Sequence, residues 1–108
     1  MNITIVHMKH TGTEVICDLI EMSEDNMAIT IKDPHMIVIT DRDEKTGTAS
    51  MGFSPFLRNC DDDVIHIALS DVLFIAEPLK QLAEQFENMF GPVAKSGLIV
   101  PKKQILMN

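Results

Sequence analysis

The stretch covering residues 13–40 constrains this chain more than any other. It reads TEVICDLIEM, then SEDN, then MAITIKDPHMIVIT. Two runs rich in β-branched residues flank a four-residue polar turn. Val15, Ile16, Leu19 and Ile20 stand before the turn, and Ile29, Ile31, Met36, Ile37, Val38 and Ile39 after it. Such density favours a pleated, half-buried surface. Ser23, Glu24, Asp25 and Asn26 have the chemistry that reverses a chain. The stretch therefore predicts a long hairpin. Its second strand should bend at Asp33-Pro34, because Pro34 has no N–H for a ladder and belongs at a bend, bulge or edge.

The rest of the chain supplies partners for this hairpin. Residues 2–9 form a first predicted strand, turned by His10, Thr11 and Gly12, the last free to adopt positive φ. Strands follow at 13–22 and 26–40. A charged loop at 41–47 leads to a weaker strand piece at 48–56, interrupted by Gly52 and ended by Pro55. Residues 57–63 form a second polar loop. Residues 64–69 alternate, Ser70 and Asp71 make a tight connection, and VLFIA at 72–76 is a short apolar strand. Leu79, Leu82, Ala83, Phe86, Met89 and Phe90 then recur at helical spacing. Pro78 and Gly91-Pro92 mark the ends of that helix. The tail at 92–108 holds Leu98, Ile99 and Val100 with Lys95, Lys102 and Lys103.

With 108 residues the chain has the size of one domain. Successive strands without helical crossovers argue for an antiparallel meander that closes into a small barrel. The division is 1–77 for the β domain, 78–91 for the helix and 92–108 for the tail. Hydrophobic residues make up 45% of the chain, with eight Met. A small β domain this apolar leaves surface to cover, so self-association is the expectation.

Charge narrows the partners. The net charge of −7 disfavours a broad nucleic-acid footprint and anionic membranes, both of which call for clustered Lys and Arg. No apolar run reaches membrane-spanning length. The N-terminal MNITIVHMKH is not laid out as a signal peptide. Cys17 and Cys60 fit neither a disulfide framework nor a metal motif. A reducing, cytoplasmic setting is expected.

The order of elements resembles the Sm-like (LSm) family. Gly12, Val15, Leu19, the loop at 23–26, Ile29, Ile31 and Asp33 match the first Sm motif, with one extra residue in the loop. Ile65, Ile67, Ser70, Asp71, Val72 and Ile75 match the second. The resemblance covers residues 3–76. It implies a mostly β fold, a small, strongly bent, five-stranded antiparallel barrel, here with a C-terminal helix in place of the family's usual N-terminal one. It also implies a homo-oligomeric ring in which neighbouring subunits pair their edge strands, placing Val72, Leu73, Phe74, Ile75, Ile65 and Ile67 at the subunit interface.

By the same resemblance, single-stranded RNA would thread over two loops holding Asp25, Asn26, Ser70 and Asp71, with Asn26 reading a base edge. The family's second loop carries Arg and Gly; this chain has neither. That removes a stacking plane and a phosphate partner, and Asp71 in that place repels phosphate. A structural or protein-interaction ring without RNA binding is therefore the competing expectation.

The remaining candidates read more plainly. Asp61, Asp62 and Asp63 lack the alternation and Gly of a calcium loop; a solvated loop, or a charge barrier against unwanted association, suits them better. His7, His10, His35 and His66 show no metal spacing. No nucleophile elbow, phosphate loop or dinucleotide motif is present. No enzyme activity, metal or cofactor is expected. Lys95, Lys102 and Lys103 are the single basic cluster, read as a solvated tail or, gathered in a ring, as a positive patch.

Overall fold

The computed structural model describes residues 1–91. The chain forms β1 (Ile3–Met8), β2 (Glu14–Met22), β3 (Ala28–Asp43), β4 (Thr48–Pro55), β5 (Val64–Ala68), a 3-10 turn at Leu69–Asp71, β6 (Val72–Ala76) and α1 (Lys80–Phe90). The described residues make an antiparallel, mostly β fold followed by one α-helix. The tail expected at 92–108 lies outside the described residues.

The long hairpin is present and is the centre of the sheet. Its strands β2 and β3 pair from Met22↔Ile29 to Val15↔Met36. β1 pairs with the outer side of β2, and β6 with the outer side of β1. On its far side β3 carries two strands. Its distal half, His35 to Asp43, pairs with β4, and its proximal half, Ala28 to Lys32, pairs with β5. Because β2 occupies the other side of β3 throughout residues 29–36, β4 and β5 lie end to end along one side. The described residues thus hold six strands in five positions; six segments were read from the sequence, and the resemblance implied a five-stranded sheet.

The split has a local cause. Asp33 takes φ 53°, a left-handed conformation that L-residues seldom adopt. Two residues of β3, Asp33 and Pro34, stand opposite one of β2, Cys17, between Ile16↔His35 and Asp18↔Lys32. This is the predicted bend at Asp33-Pro34. The facing line breaks there too, and residues 56–63 loop out of it. The N–H of Asp33 donates to the Asp63 carbonyl at 2.7 Å and that of Phe56 to the Pro34 carbonyl at 3.2 Å, closing both ends of the excursion.

Alternation then sorts the side chains onto two faces. On one face Val6, Val15, Cys17, Ile29, Ile31 and Ile67 are buried together. On the other face Ile5, Ile16 and Phe53 meet Leu82 and Phe86 of α1. Phe86 is fully buried, edge-on to Phe53 at 6.0 Å between ring centroids. Burying a Phe and a Leu this completely contributes about 1.5–3 kcal/mol each, which holds an 11-residue helix that is too short to stand alone.

Element ends differ from expectation: β3 runs on to Asp43, into the loop expected at 41–47. The helix starts at Lys80, not Pro78. Leu79 is extended, with ψ 143°, so its side chain leaves the apolar stripe and is 68% exposed. The sheet also does not close on itself: β4, β5 and β6 each have one strand neighbour among the described residues.

Candidate functional site

Two loops and two sheet edges carry the sequence-derived candidates. The loops meet: the N–H of Leu69 donates to the carbonyl of Met27 at 2.8 Å. The turn holding Asp25 and Asn26 and the turn holding Ser70 and Asp71 are therefore neighbours, although 43 residues separate Leu69 from Asn26 in the chain.

Within the first loop, Ser23 is the organiser. Its hydroxyl donates to Asp25 Oδ1 at 2.6 Å and accepts from the N–H groups of Met27 and Ala28 at 3.2 and 3.0 Å. Asp25 Oδ1 also accepts from the Met27 N–H at 3.1 Å. The Ser23 hydroxyl first, and that backbone N–H second, hold the Asp25 carboxyl below its ordinary range. Asn26 takes φ 57°, which Asn tolerates better than most residues, and its side chain is exposed. In the second loop, Ser70 and Asp71 are exposed. Asp71 Oδ1 lies 3.7 Å from His10 Nε2, and its carbonyl accepts from the Lys9 N–H at 2.8 Å. The neighbouring loops thus hold Glu24, Asp25 and Asp71, with His10 and Lys9 beside Asp71. That electrostatic setting repels phosphate.

The six candidate interface residues divide into two sets. Ile67 is buried, and Ile65 and Val72 pack against the same core cluster. Leu73, Phe74 and Ile75 on β6 remain 58%, 46% and 38% exposed. Leu73 is the extra residue at a register shift between β6 and β1, which turns it outward. Phe74 stacks on His7, with ring centroids 4.7 Å apart and planes 20° from parallel. His7 Nδ1 is buried without a hydrogen-bond partner, 3.8 Å from Glu14 Oε1. The outer edges of β5 and β6 meet no strand among the described residues.

Comparison of the sequence with protein-family models and with curated proteins gives no match. The assignment of a role therefore rests on the geometry.

The looped-out residues 56–63 border a cleft of about 190 Å³ between Pro34, His35, Leu57, Cys60 and Asp61. His35 Nδ1–H donates to the Asp33 carbonyl at 2.8 Å, and its ring rests on Phe90 at 4.3 Å. Sequence patterning gave no sign of this cleft, because it arises where β4 and β5 part. Among the described residues no three ligating side chains converge on a metal position, and no helix is long and apolar enough to cross a membrane.

Proposed function

We propose that this chain is an Sm-like, self-associating β domain whose subunits join edge to edge, β5 of one against β6 of the next. The product is a homo-oligomeric ring that acts as a structural or protein-interaction scaffold. The observation that carries this reading is β6: a strand edge with no strand partner among the described residues, bearing exposed Leu73, Phe74 and Ile75. Such an edge is a template for another strand, and proteins that keep one exposed and apolar use it for pairing. The chain carries its own complement. β5 reads VIHIA and β6 reads VLFIA, both five residues long and both open on one side. A ring pairs every β5 edge with a β6 edge at once, while the outer edge of β4 stays outside this pairing. Neighbours on both sides would also complete the barrel-like wrapping around the Val6, Val15 and Ile31 cluster.

Hydrogen exchange tests this directly. On concentrating the protein, the outward amides of β5 and β6 gain protection together, while those at the tip of the β3–β4 hairpin do not. Unchanged exchange in both strands over a wide concentration range refutes edge pairing.

A second reading, single-stranded RNA across the two loops, is favoured by one observation: the Leu69 to Met27 hydrogen bond sets exposed Asn26 beside the Ser70 turn. The acidic surroundings weigh against it. Fluorescence anisotropy of a labelled U-rich RNA, with an A-rich control, separates the two. The scaffold reading expects no binding at physiological salt. Base-selective binding lost in Asn26→Ala establishes the RNA reading instead.

A further inference from the structure

Both open edges are bracketed by acid at both ends. Asp61, Asp62 and Asp63 precede β5, and Asp71 follows it; Asp71 precedes β6, and Glu77 follows it. This matters for how two copies meet. If β5 of one copy pairs with β6 of another in parallel, the Asp61–Asp63 end faces Asp71 and the Asp71 end faces Glu77. If the pairing is antiparallel, the Asp61–Asp63 end faces Glu77 and Asp71 faces its own copy. Acid meets acid at both ends in either direction.

The basic groups nearby are few. Lys32 pairs across from Val64 on β3, Lys80 opens the helix, Lys9 donates its N–H to the Asp71 carbonyl, His10 lies 3.7 Å from Asp71, and Arg58 stands in the loop before Asp61. Asp61, Asp62 and Glu77 are exposed.

We infer that edge-to-edge assembly of this chain is gated by ionic strength: the acidic brackets around β5 and β6 hold subunits apart at low salt and let them pair once screened. This rests on the edge-pairing reading above and names its regulation.

The distances make the effect selective. Paired strands lie about 4.8 Å apart, so the facing acids sit within roughly 5–10 Å of each other. The Debye length is about 30 Å at 0.01 M salt and about 8 Å at 0.15 M. The repulsion is therefore nearly unscreened in the first case and substantially damped in the second. The apolar contacts of Leu73, Phe74 and Ile75 are not weakened by the same change. The sequence device is one that proteins use against runaway edge pairing, charge beside an exposed strand. Here it flanks the strands without interrupting them, so it delays pairing and does not forbid it.

Sedimentation velocity of the full chain at fixed concentration, in sodium chloride from about 0.01 M to 0.3 M, tests the gate. The inference expects dissociation at the low end and assembly at the high end, with the association constant rising on the order of tenfold or more. The variant D61N/D62N/E77Q changes only exposed side chains, so its fold is retained, and circular dichroism checks this. It should assemble at every salt concentration. Wild-type assembly that is independent of salt, or that weakens as salt rises, overturns the gate but leaves edge pairing standing. A monomer in both proteins at every salt concentration overturns edge pairing and the gate with it.

Discussion

Ser23 shows how much one side chain can fix. Its hydroxyl reaches Asp25, Met27 and Ala28, so the turn that brings Asn26 beside the Ser70 loop hangs on it. Ser23→Ala removes the hydroxyl that accepts from the Ala28 N–H, leaves the Met27 N–H with Asp25 alone, and should destabilise the fold by about 1 kcal/mol in denaturant titration. It should also raise the Asp25 carboxyl towards its ordinary value, read by NMR titration. The sign follows from the depressed folded value: Asp25 contributes stability above about pH 3.9, and the contribution is lost as pH falls through the lower folded value. An Asp25 titration unchanged by Ser23→Ala contradicts this account of the turn. Cys17 behaves oppositely. Burial first, and the neighbouring Asp18 charge second, push its thiol up to about 12. Cys60 is exposed. A maleimide should therefore label one thiol per native chain and two after denaturation, with peptide mapping placing the first on Cys60.

At the scale of elements, α1 is held by two residues. Leu82 and Phe86 are its buried anchors, and Phe90 packs beside them against His35. Phe86→Ala should cost about 3–5 kcal/mol in unfolding free energy, because the ring fills the space between α1, Phe53 and Phe90. Leu79→Ala, at an exposed position, should cost little. Equal effects would mean that the helix docks through another face. The stop at Gly91 is equally specific. Gly91 has φ −72°, so it does not use the left-handed turn that a helix-ending glycine usually supplies. It is needed because a Cβ there would collide with the Glu87 carbonyl. The helix itself was legible from the 3.6-residue spacing of Leu82, Phe86 and Phe90. Its start was not, because spacing counts Leu79 as part of the stripe, while the backbone conformation at that residue excludes it. The central hairpin and its bend were legible from β-branched density and Pro34. The separation of β4 from β5 was legible from the polar loop at 57–63, but their end-to-end pairing along β3 was not, since it depends on how the kink at Asp33 breaks the opposite ladder, a consequence of pairing that local pattern does not carry.

For the whole molecule, the question is what covers the exposed apolar edge. The two core clusters account for nearly every strongly apolar strand residue except those of β6 and the hairpin ends, where Ile20, Met22, Met27 and Ile39 are exposed. Burial follows the sequence pattern where that pattern is periodic and departs from it at β6. Val72, Leu73, Phe74 and Ile75 look alike in sequence, yet the register shift against β1 sends Val72 inward and Leu73 outward. The edge also gives a mutational prediction. Leu73→Lys with Phe74→Lys puts charge on an edge strand, which should abolish association while leaving the far-ultraviolet circular dichroism unchanged. Loss of fold in this variant, with association otherwise intact in single substitutions, would mean that these residues serve the core. The most direct measurement is the mass of the native protein in solution at physiological salt, by sedimentation equilibrium. Edge-to-edge assembly predicts a single species several times the chain mass of 12.1 kDa, reduced to the chain mass by the two lysines. A wild-type protein that sediments at 12.1 kDa across concentrations contradicts it.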